Sequence, residues 1–300
     1  MSSPSSQGGV SLSDRLERID RRFVYLLIAL ALALPIIFGW KLPPAEMETA
    51  DAFFAVVDEL KPEHGKLVLI ASDWGPGTQA ENKPQTMIAM EHLMRKRVPF
   101  GLISITPYAA PFLESMPRDL KAKLEAEAPG ETWTYGTDWI NFGYRPGFVI
   151  MIQGLAKATD LHDVLKTDVS GTPLADLPIM KGVHTIRNIA MLMEFTGLVS
   201  AFNFWVQFFQ ADGYKPPFVH GCTSITIPEA YIYYVSKQIV GLYEGVAGAA
   251  WYENLLSKKY PERESGTALK INTSLAVAHV VIIALMILGN VGYLISRRSR

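Results

Sequence analysis

The chain has 300 residues, of which 49% are hydrophobic and 19% are charged, and its formal net charge is −1. Residues 41–270 contain 21 Lys and Arg against 26 Asp and Glu, an acidic balance that argues against nucleic acid or anionic lipid as a partner of this segment. The sequence has one cysteine, Cys222, so no intrachain disulfide is possible and packing must hold the fold together.

Two uncharged apolar runs lie near the ends of the chain, at residues 23–40 and 271–296. A helix rises about 1.5 Å per residue, so about 18 or more such residues cross a hydrocarbon core of about 30 Å. Both runs are therefore predicted transmembrane helices. A cleaved signal peptide is the alternative for the first run, but that apolar region is too long for one and no small-x-small cleavage site follows it.

Basic residues concentrate at the outer ends of the two runs. By the positive-inside rule, residues 1–22 and 297–300 are predicted cytoplasmic tails of a protein of the cell's cytoplasmic membrane. Residues 41–270 are then a domain outside the cytoplasm. The residues that carry this prediction are Arg15, Arg18, Arg21 and Arg22 before the first run and Arg297, Arg298 and Arg300 after the second.

Helical and extended patterns alternate about five times between the two runs, which is typical of a doubly wound α/β domain with three layers and a mostly parallel sheet. In architecture alone, this resembles flavodoxin-like and Rossmann-like domains. Strands are predicted at residues 66–72, 98–105, 133–142, 188–195 and 218–223. Helices are predicted at residues 49–60, from 84 onward, 117–128, 148–157, 201–210 and 228–257.

The loop after the first predicted strand is the best candidate ligand site, because ligands of open parallel sheets bind beyond the carboxyl ends of the strands. Asp73 and Glu81 offer carboxylates for a cation or for base catalysis, Thr78 offers a hydroxyl for an anion, and Trp74 offers a ring for stacking. The loop matches neither the dinucleotide fingerprint nor the P-loop. A purely structural role for these residues is the alternative.

Two other segments offer chemistry. Arg145, in the loop after the third predicted strand, would face the same crevice and pair with Asp73 or hold a carboxylate, unless it is simply an exposed arginine. His220 and Cys222 are two residues apart on one predicted strand, so they suggest a base and a nucleophile, with a small buried hydrophobe as the alternative for the cysteine. The six histidines show no zinc-ligand spacing, and neither a metal nor a cofactor is predicted.

The predicted helix at 228–257 carries Gly241, Gly245 and Gly248 on one side. Three glycines inside a helix cost roughly 2 to 3 kcal/mol, and the close approach of another backbone would offset that cost. The approaching element is either another helix of the same domain or a second subunit. The glycines therefore form a predicted assembly face.

A second predicted assembly face lies on the apolar run 271–296. Asn272, His279 and Asn290 fall within about 20° of one side of a helix there. Polar side chains at membrane depth are costly unless they face protein or water, so the stripe indicates helix packing. The alternative is that the two asparagines lie near the lipid headgroups.

The sequence favours a two-pass membrane protein whose outer domain is a binding or assembly module, through self-association or with another membrane protein. A membrane-tethered, hydrolase-like enzyme that uses the 73–81 crevice is the alternative. A pocket over the strand ends with convergent charged groups would favour the enzyme. A crevice filled by Trp74 or Tyr144 would exclude it.

Overall fold

Six parallel strands form one sheet. This architecture comes from a computed structural model that describes residues 20–264 and 266–298. The strands are almost entirely buried, as expected of a parallel sheet covered by helices on its faces. Their bounds are β1 Leu67–Ser72, β2 Phe100–Ser104, β3 Trp139–Tyr144, β4 Ile189–Thr196, β5 Phe218–Cys222 and β6 Gly241–Glu244.

Helices connect and flank the strands, which confirms the prediction of an α/β fold with a parallel sheet. The helices of this part of the chain are α2 Glu48–Glu59, α3 Gln79–Arg95, α4 Ala110–Glu127, α5 Val149–Ala156, α6 Leu161–Leu165, α7 Val199–Phe208, α8 Ile227–Val235 and α9 Gly245–Lys259. Among them, α2, α3 and α9 pack together, and α5 packs on α7.

The chain order reverses at β1, which lies between β2 and β4. Ala71 pairs with Ile103 on one side and with Glu194 on the other. The chain moves outward from β1 to β3, then crosses back to β4 and moves outward in the opposite direction to β6. The carboxyl ends of β1 and β4 therefore border the switch point at which sheets of this kind bind their ligands.

The predicted third strand begins too early. Residues 133–138 form a turn instead, and β3 begins at Trp139. The Trp133 indole donates to the Met94 carbonyl oxygen at 2.9 Å, and the Thr134 amide donates to the Asp138 side chain at 2.7 Å. These side-chain bonds stabilise a turn that the run of aromatic and β-branched residues does not indicate.

The prediction of one long helix over residues 228–257 is wrong. Helix α8 ends at Val235, β6 follows at Gly241–Glu244, and α9 begins at Gly245. Lys237, with a φ of +61°, turns the chain between α8 and β6, and Gly245, with a φ of +62°, turns it between β6 and α9. The segment therefore supplies a sixth strand.

The predicted glycine assembly face is wrong for the same reason, because the three glycines lie buried inside the domain, Gly241 on β6 and both Gly245 and Gly248 on α9. A Cβ at Gly241 would lie 2.4 Å from the Phe53 Cα of α2, and a Cβ at Gly248 would lie 2.9 Å from the Tyr243 Cα. Close backbone approach does account for these glycines, but the approaching backbone belongs to the same domain.

Two further helices, α1 (Arg21–Phe38) and α10 (Thr267–Arg298), are long and apolar enough to cross a membrane. By its contacts the chain divides into two units, residues 44–269 and the two end segments. Within the second unit, the Leu42 amide donates to the Thr273 hydroxyl at 3.0 Å.

The polar stripe predicted on the second apolar run faces largely outward. His279 and Asn290 are exposed and Asn272 is half-buried, whereas Thr273 and Ala278 are buried. The Asn290 side chain donates to the carbonyl oxygen of Met286, one turn earlier on its own helix. A single chain therefore leaves this stripe open to a partner, and its role in assembly stays a prediction.

Candidate functional site

Asp73 is the first residue after β1 and lies at the switch point, where the sequence places the candidate site. Its side chain is 0% exposed. Oδ1 accepts hydrogen bonds from the Ser104 hydroxyl at 2.8 Å and from the Ile105 amide at 2.7 Å. Oδ2 accepts from the Trp205 indole at 2.7 Å. The carboxyl group therefore joins the ends of β1 and β2 to helix α7.

Burial raises the pKa of Asp73 to about 6, although the Trp205, Ile105 and Ser104 donors act in the opposite direction. A carboxyl group with a pKa in this range is suited to acid or base catalysis when a substrate can reach it. Asp73 fails that condition, because the three groups that bind it also enclose it.

Glu194 on β4 and His220 on β5 pair across the sheet and are both buried. His220 Nδ1 lies 2.6 Å from Glu194 Oε2 and 3.0 Å from the Glu194 carbonyl oxygen. Burial raises the pKa of Glu194 well above its usual range and lowers that of His220 to about 3. The Phe202 ring stacks on the imidazole, with 4.0 Å between the ring centroids. Both groups are therefore enclosed, and burial favours the neutral form of each.

The remaining residues of the 73–81 loop also have structural partners. The Trp74 indole donates to the Thr86 hydroxyl at 3.2 Å and its ring packs on Phe112, so Trp74 is buried. Glu81 Oε2 accepts from the amide and the hydroxyl of Ser224, at 2.9 Å and 2.6 Å. This carboxylate therefore fastens the loop that follows β5.

Thr78 immediately precedes α3, and its carbonyl oxygen accepts from the Asn82 amide at 2.9 Å. Its methyl group would lie 2.7 Å from a Cβ at Gly197, so the loops after β1 and β4 approach closely there. Thr78 thus helps to fill the space in which the sequence predicts an anion.

Neither Arg145 nor Cys222 takes its predicted role. The Arg145 guanidinium donates to the Thr167 carbonyl oxygen. The Asp73 carboxylate accepts from Ser104, Ile105 and Trp205 instead. The Cys222 thiol donates to the Tyr243 carbonyl oxygen at 3.3 Å, and burial raises its pKa to about 12. A nucleophilic cysteine needs the opposite shift, so Cys222 is a small buried side chain.

A cavity of about 10 Å³ beside His220 is lined by residues from β4, β5 and the two helices that follow them. A volume of this size holds about one water molecule. Because Trp74, Trp205 and Thr78 fill the strand-end crevice, the geometry counts against the hydrolase-like alternative built on Asp73 and Glu81.

The structure shows two features that the sequence does not predict. Asp160 and His162 meet His184, although 22 residues separate the two histidines. The second feature is an uncovered apolar surface on and before α8, which we call the α8 stripe. It consists of Ile225, Pro228, Tyr231, Ile232 and Val235, all of them exposed.

The spacing of the apolar residues in the sequence is the signal that indicates the α8 stripe. Pro228, Tyr231, Ile232 and Val235 recur at intervals of three and four, which is the period of one helix face. The prediction of one long helix places that face against the sheet instead.

Comparison with protein-family models, with curated proteins and with solved structures finds no match for this chain.

Proposed function

We propose that the chain is a membrane-anchored assembly protein that associates with a second copy of itself through the α8 stripe. The observation that carries this proposal is the stripe itself. Ile225 is 89% exposed, Ile232 67% and Val235 62%. Uncovered apolar area that is continuous along one helix face is typical of an interaction surface, whereas single exposed apolar residues are ordinary.

The inner face of α8 is already occupied. Ala230 is buried, the Tyr233 hydroxyl donates to Asn203 Oδ1 at 2.8 Å, and Glu229 accepts from the Asn203 amide at 3.0 Å. These contacts hold α8 against α7 and use the carboxylate of Glu229. The outer face is therefore left without charge, on a helix that is held in place by its other side.

The size of the stripe supports association within a membrane. A helix of nine residues is about 13 Å long and covers a few hundred Å² at most. Stable soluble complexes bury about 800 Å² per partner, so the stripe alone is too small for them. Copies anchored in one bilayer present the same face and meet at a raised effective concentration. The stripe of Asn272, His279 and Asn290 on α10 would provide a second contact between copies.

Cysteine cross-linking in native membranes tests the proposal. We expect Ile232→Cys to form a disulfide-linked dimer on mild oxidation, because residues near the axis of a symmetric helix pair bring their Cβ atoms within the roughly 4 Å that a disulfide needs. The matched control is Ile150→Cys, which places a thiol at an 80% exposed isoleucine on α5. Since Cys222 is buried, the background is expected to be low.

Dimer formation by Ile232→Cys but not by Ile150→Cys supports the proposal, and Ile232→Glu is then expected to reduce the dimer fraction of the otherwise unchanged chain in mild detergent. Absence of cross-linking at Ile232→Cys, or equal cross-linking at both positions, would show that the α8 stripe does not bind a second copy. Co-purification of a different membrane protein that is lost in Ile232→Glu would assign the stripe to that partner.

Membrane topology gives a separate prediction. We propose that α1 and α10 cross the cytoplasmic membrane with both termini inside and residues 44–269 outside. The basic residues lie at the end of each helix that is nearer to a chain terminus, and such residues favour the cytoplasmic side. A membrane-impermeant maleimide should label Ile150→Cys in intact spheroplasts. It should label Ser2→Cys only after lysis. The opposite pattern, or labelling of both variants in intact spheroplasts, would contradict this topology.

A further inference from the structure

Two segments that are distant in sequence place two imidazoles around one carboxylate. His162 Nδ1 lies 2.7 Å from Asp160 Oδ1, and His184 Nδ1 lies 3.2 Å from Asp160 Oδ2. One ligand atom from each of the three residues falls within 4.8 Å of the others. A nitrogen, nitrogen, oxygen group of this kind suits zinc, copper, nickel and iron.

The backbone around the three residues is fixed by hydrogen bonds. Asp160 accepts from the His162 amide at 2.9 Å and so caps the start of α6. The Leu161 amide donates to the His184 carbonyl oxygen at 2.6 Å, which joins the two segments directly. Asn188 Oδ1 accepts from the His184 amide at 3.1 Å. The three side chains therefore converge from a backbone that is already in place.

We propose that Asp160, His162 and His184 form a binding site for a divalent transition-metal ion. Metal–nitrogen bonds of about 2.0 to 2.1 Å in a tetrahedral site place neighbouring ligand atoms about 3.3 Å apart. The separations of 2.7 Å and 3.2 Å are close to that value, and all three ligand atoms lie within 4.8 Å of one another. His184 is exposed and the other two residues are half-buried, so an ion can enter from solvent.

The surroundings favour an open site. The three residues border a cleft of about 740 Å³, which is also lined by Asp176 and Lys181. Structural zinc sites are closed by four protein ligands, whereas sites with three protein ligands keep a position for water or for a small molecule. An ion held here would therefore present an exchangeable position to the cleft. Lys181 adds a positive charge on the wall of the same cleft.

Zinc titration of the full chain in mild detergent, after removal of metal by a chelator, tests the proposal by calorimetry. We expect one zinc ion per chain. Loss of a group that hydrogen-bonds to a metal ligand commonly weakens metal binding about 10- to 100-fold, so loss of a ligand in His184→Gln should weaken it at least about 100-fold. Asp160→Ser should have a similar effect, although serine keeps the cap of α6. His64→Gln, which alters an exposed histidine outside the group, should change the dissociation constant less than about twofold.

The thermal unfolding midpoint provides a second readout, because an ion that binds only the folded chain raises it. Zinc should raise the midpoint of the wild type and of His64→Gln, but not that of Asp160→Ser or His184→Gln. Wild-type binding that is absent, or that persists in both ligand variants, would show that the group is only an ion pair. An equal loss in His64→Gln would overturn the three-ligand assignment. These outcomes do not involve the α8 stripe, so this proposal and the proposed function can fail independently.

Discussion

Replacement of Arg263 by leucine is expected to lower the free energy of unfolding of the α/β domain by about 3 to 5 kcal/mol, because it leaves a buried carboxylate without its main partner. Arg263 Nε and Nη2 donate to the two oxygens of Glu91 at 2.9 Å and 2.8 Å, and Nη1 donates to the Ser257 hydroxyl at 2.8 Å. Both charged side chains are almost completely buried.

The charge state of Glu91 shows how strongly this pair is coupled. Burial alone would raise the pKa of Glu91, but the hydrogen bonds and charge of Arg263, together with the charges of Lys123 and Arg95, lower the pKa to about 2. Without Arg263, the buried carboxyl group keeps Arg95, at 2.9 Å, and Lys123, at 3.4 Å, as cationic partners, so it must either stay charged with fewer donors or take up a proton. Either response costs stability near pH 7.

Denaturant unfolding of the detergent-solubilised chain, followed by tryptophan fluorescence, measures the effect. Arg118→Leu is the matched control, since Arg118 is 67% exposed and lies 3.8 Å from Glu114. Surface pairs of this kind contribute about 0 to 1 kcal/mol. The double variant Arg263→Leu/Glu91→Leu should recover part of the loss, because it also removes the buried charge that Arg263 neutralises. A loss in Arg263→Leu no larger than that in Arg118→Leu would contradict the expectation.

Asp73→Asn is expected to change how stability depends on pH. The pKa of Asp73 is about 6 in the folded chain, against an ordinary value of 3.8. Between these pH values the folded state holds a proton that the unfolded state has lost, so the contribution of Asp73 falls as pH rises and is constant above about pH 6. Each pKa unit corresponds to about 1.4 kcal/mol, which gives a loss of about 3 kcal/mol across the window.

Two buried histidines change the free energy of unfolding in the opposite direction over part of this pH range. Burial lowers the pKa of His92 to about 4 and that of His220 to about 3, so their contributions rise with pH up to the ordinary value of 6.5. The informative quantity is therefore the difference between Asp73→Asn and the wild type. The variant should gain about 2 kcal/mol relative to the wild type from pH 4 to pH 6. A constant cost is added, because the Trp205 indole N–H loses the carboxylate that accepts its hydrogen bond.

Unfolding curves at several pH values between 4 and 7 give this difference. Ser104→Ala is the control, because it removes one donor to Asp73 but keeps the titrating carboxyl group, and it should not abolish the pH-dependent loss. A difference between Asp73→Asn and the wild type that is flat with pH would show that Asp73 ionises normally in the fold.

The sequence predicts the first, second, fourth and fifth strands to within about two residues, because continuous apolar runs bounded by turn residues are typical of buried parallel strands. It fails at β6 for a physical reason. This strand has only four residues, begins at Gly241 and is followed directly by Gly245, and the apolar spacing around it continues the helical period of α8. The break depends on Lys237 at a positive φ, which no local residue preference indicates.

The position of Asp73 at a strand end is predictable, but its burial is not. The indole that covers it belongs to Trp205, 132 residues later in the chain. The same limit applies to Asp160 and His184, because metal-ligand spacings within a short segment do not indicate that these two distant residues lie side by side. Pairing of distant segments is a property of the packed fold, so local patterns predict which side chains border the sheet but not which of them stay accessible.

The sealed thiol of Cys222 has a consequence for where the domain can function. With a pKa of about 12, the sulfur remains a protonated thiol at any physiological pH, and it lies out of reach of oxidants. The covalent structure of the described domain is then the same under reducing and oxidising conditions. Folding on either side of a cell membrane needs neither an oxidase nor a disulfide isomerase, and transfer between compartments leaves the domain chemically unchanged.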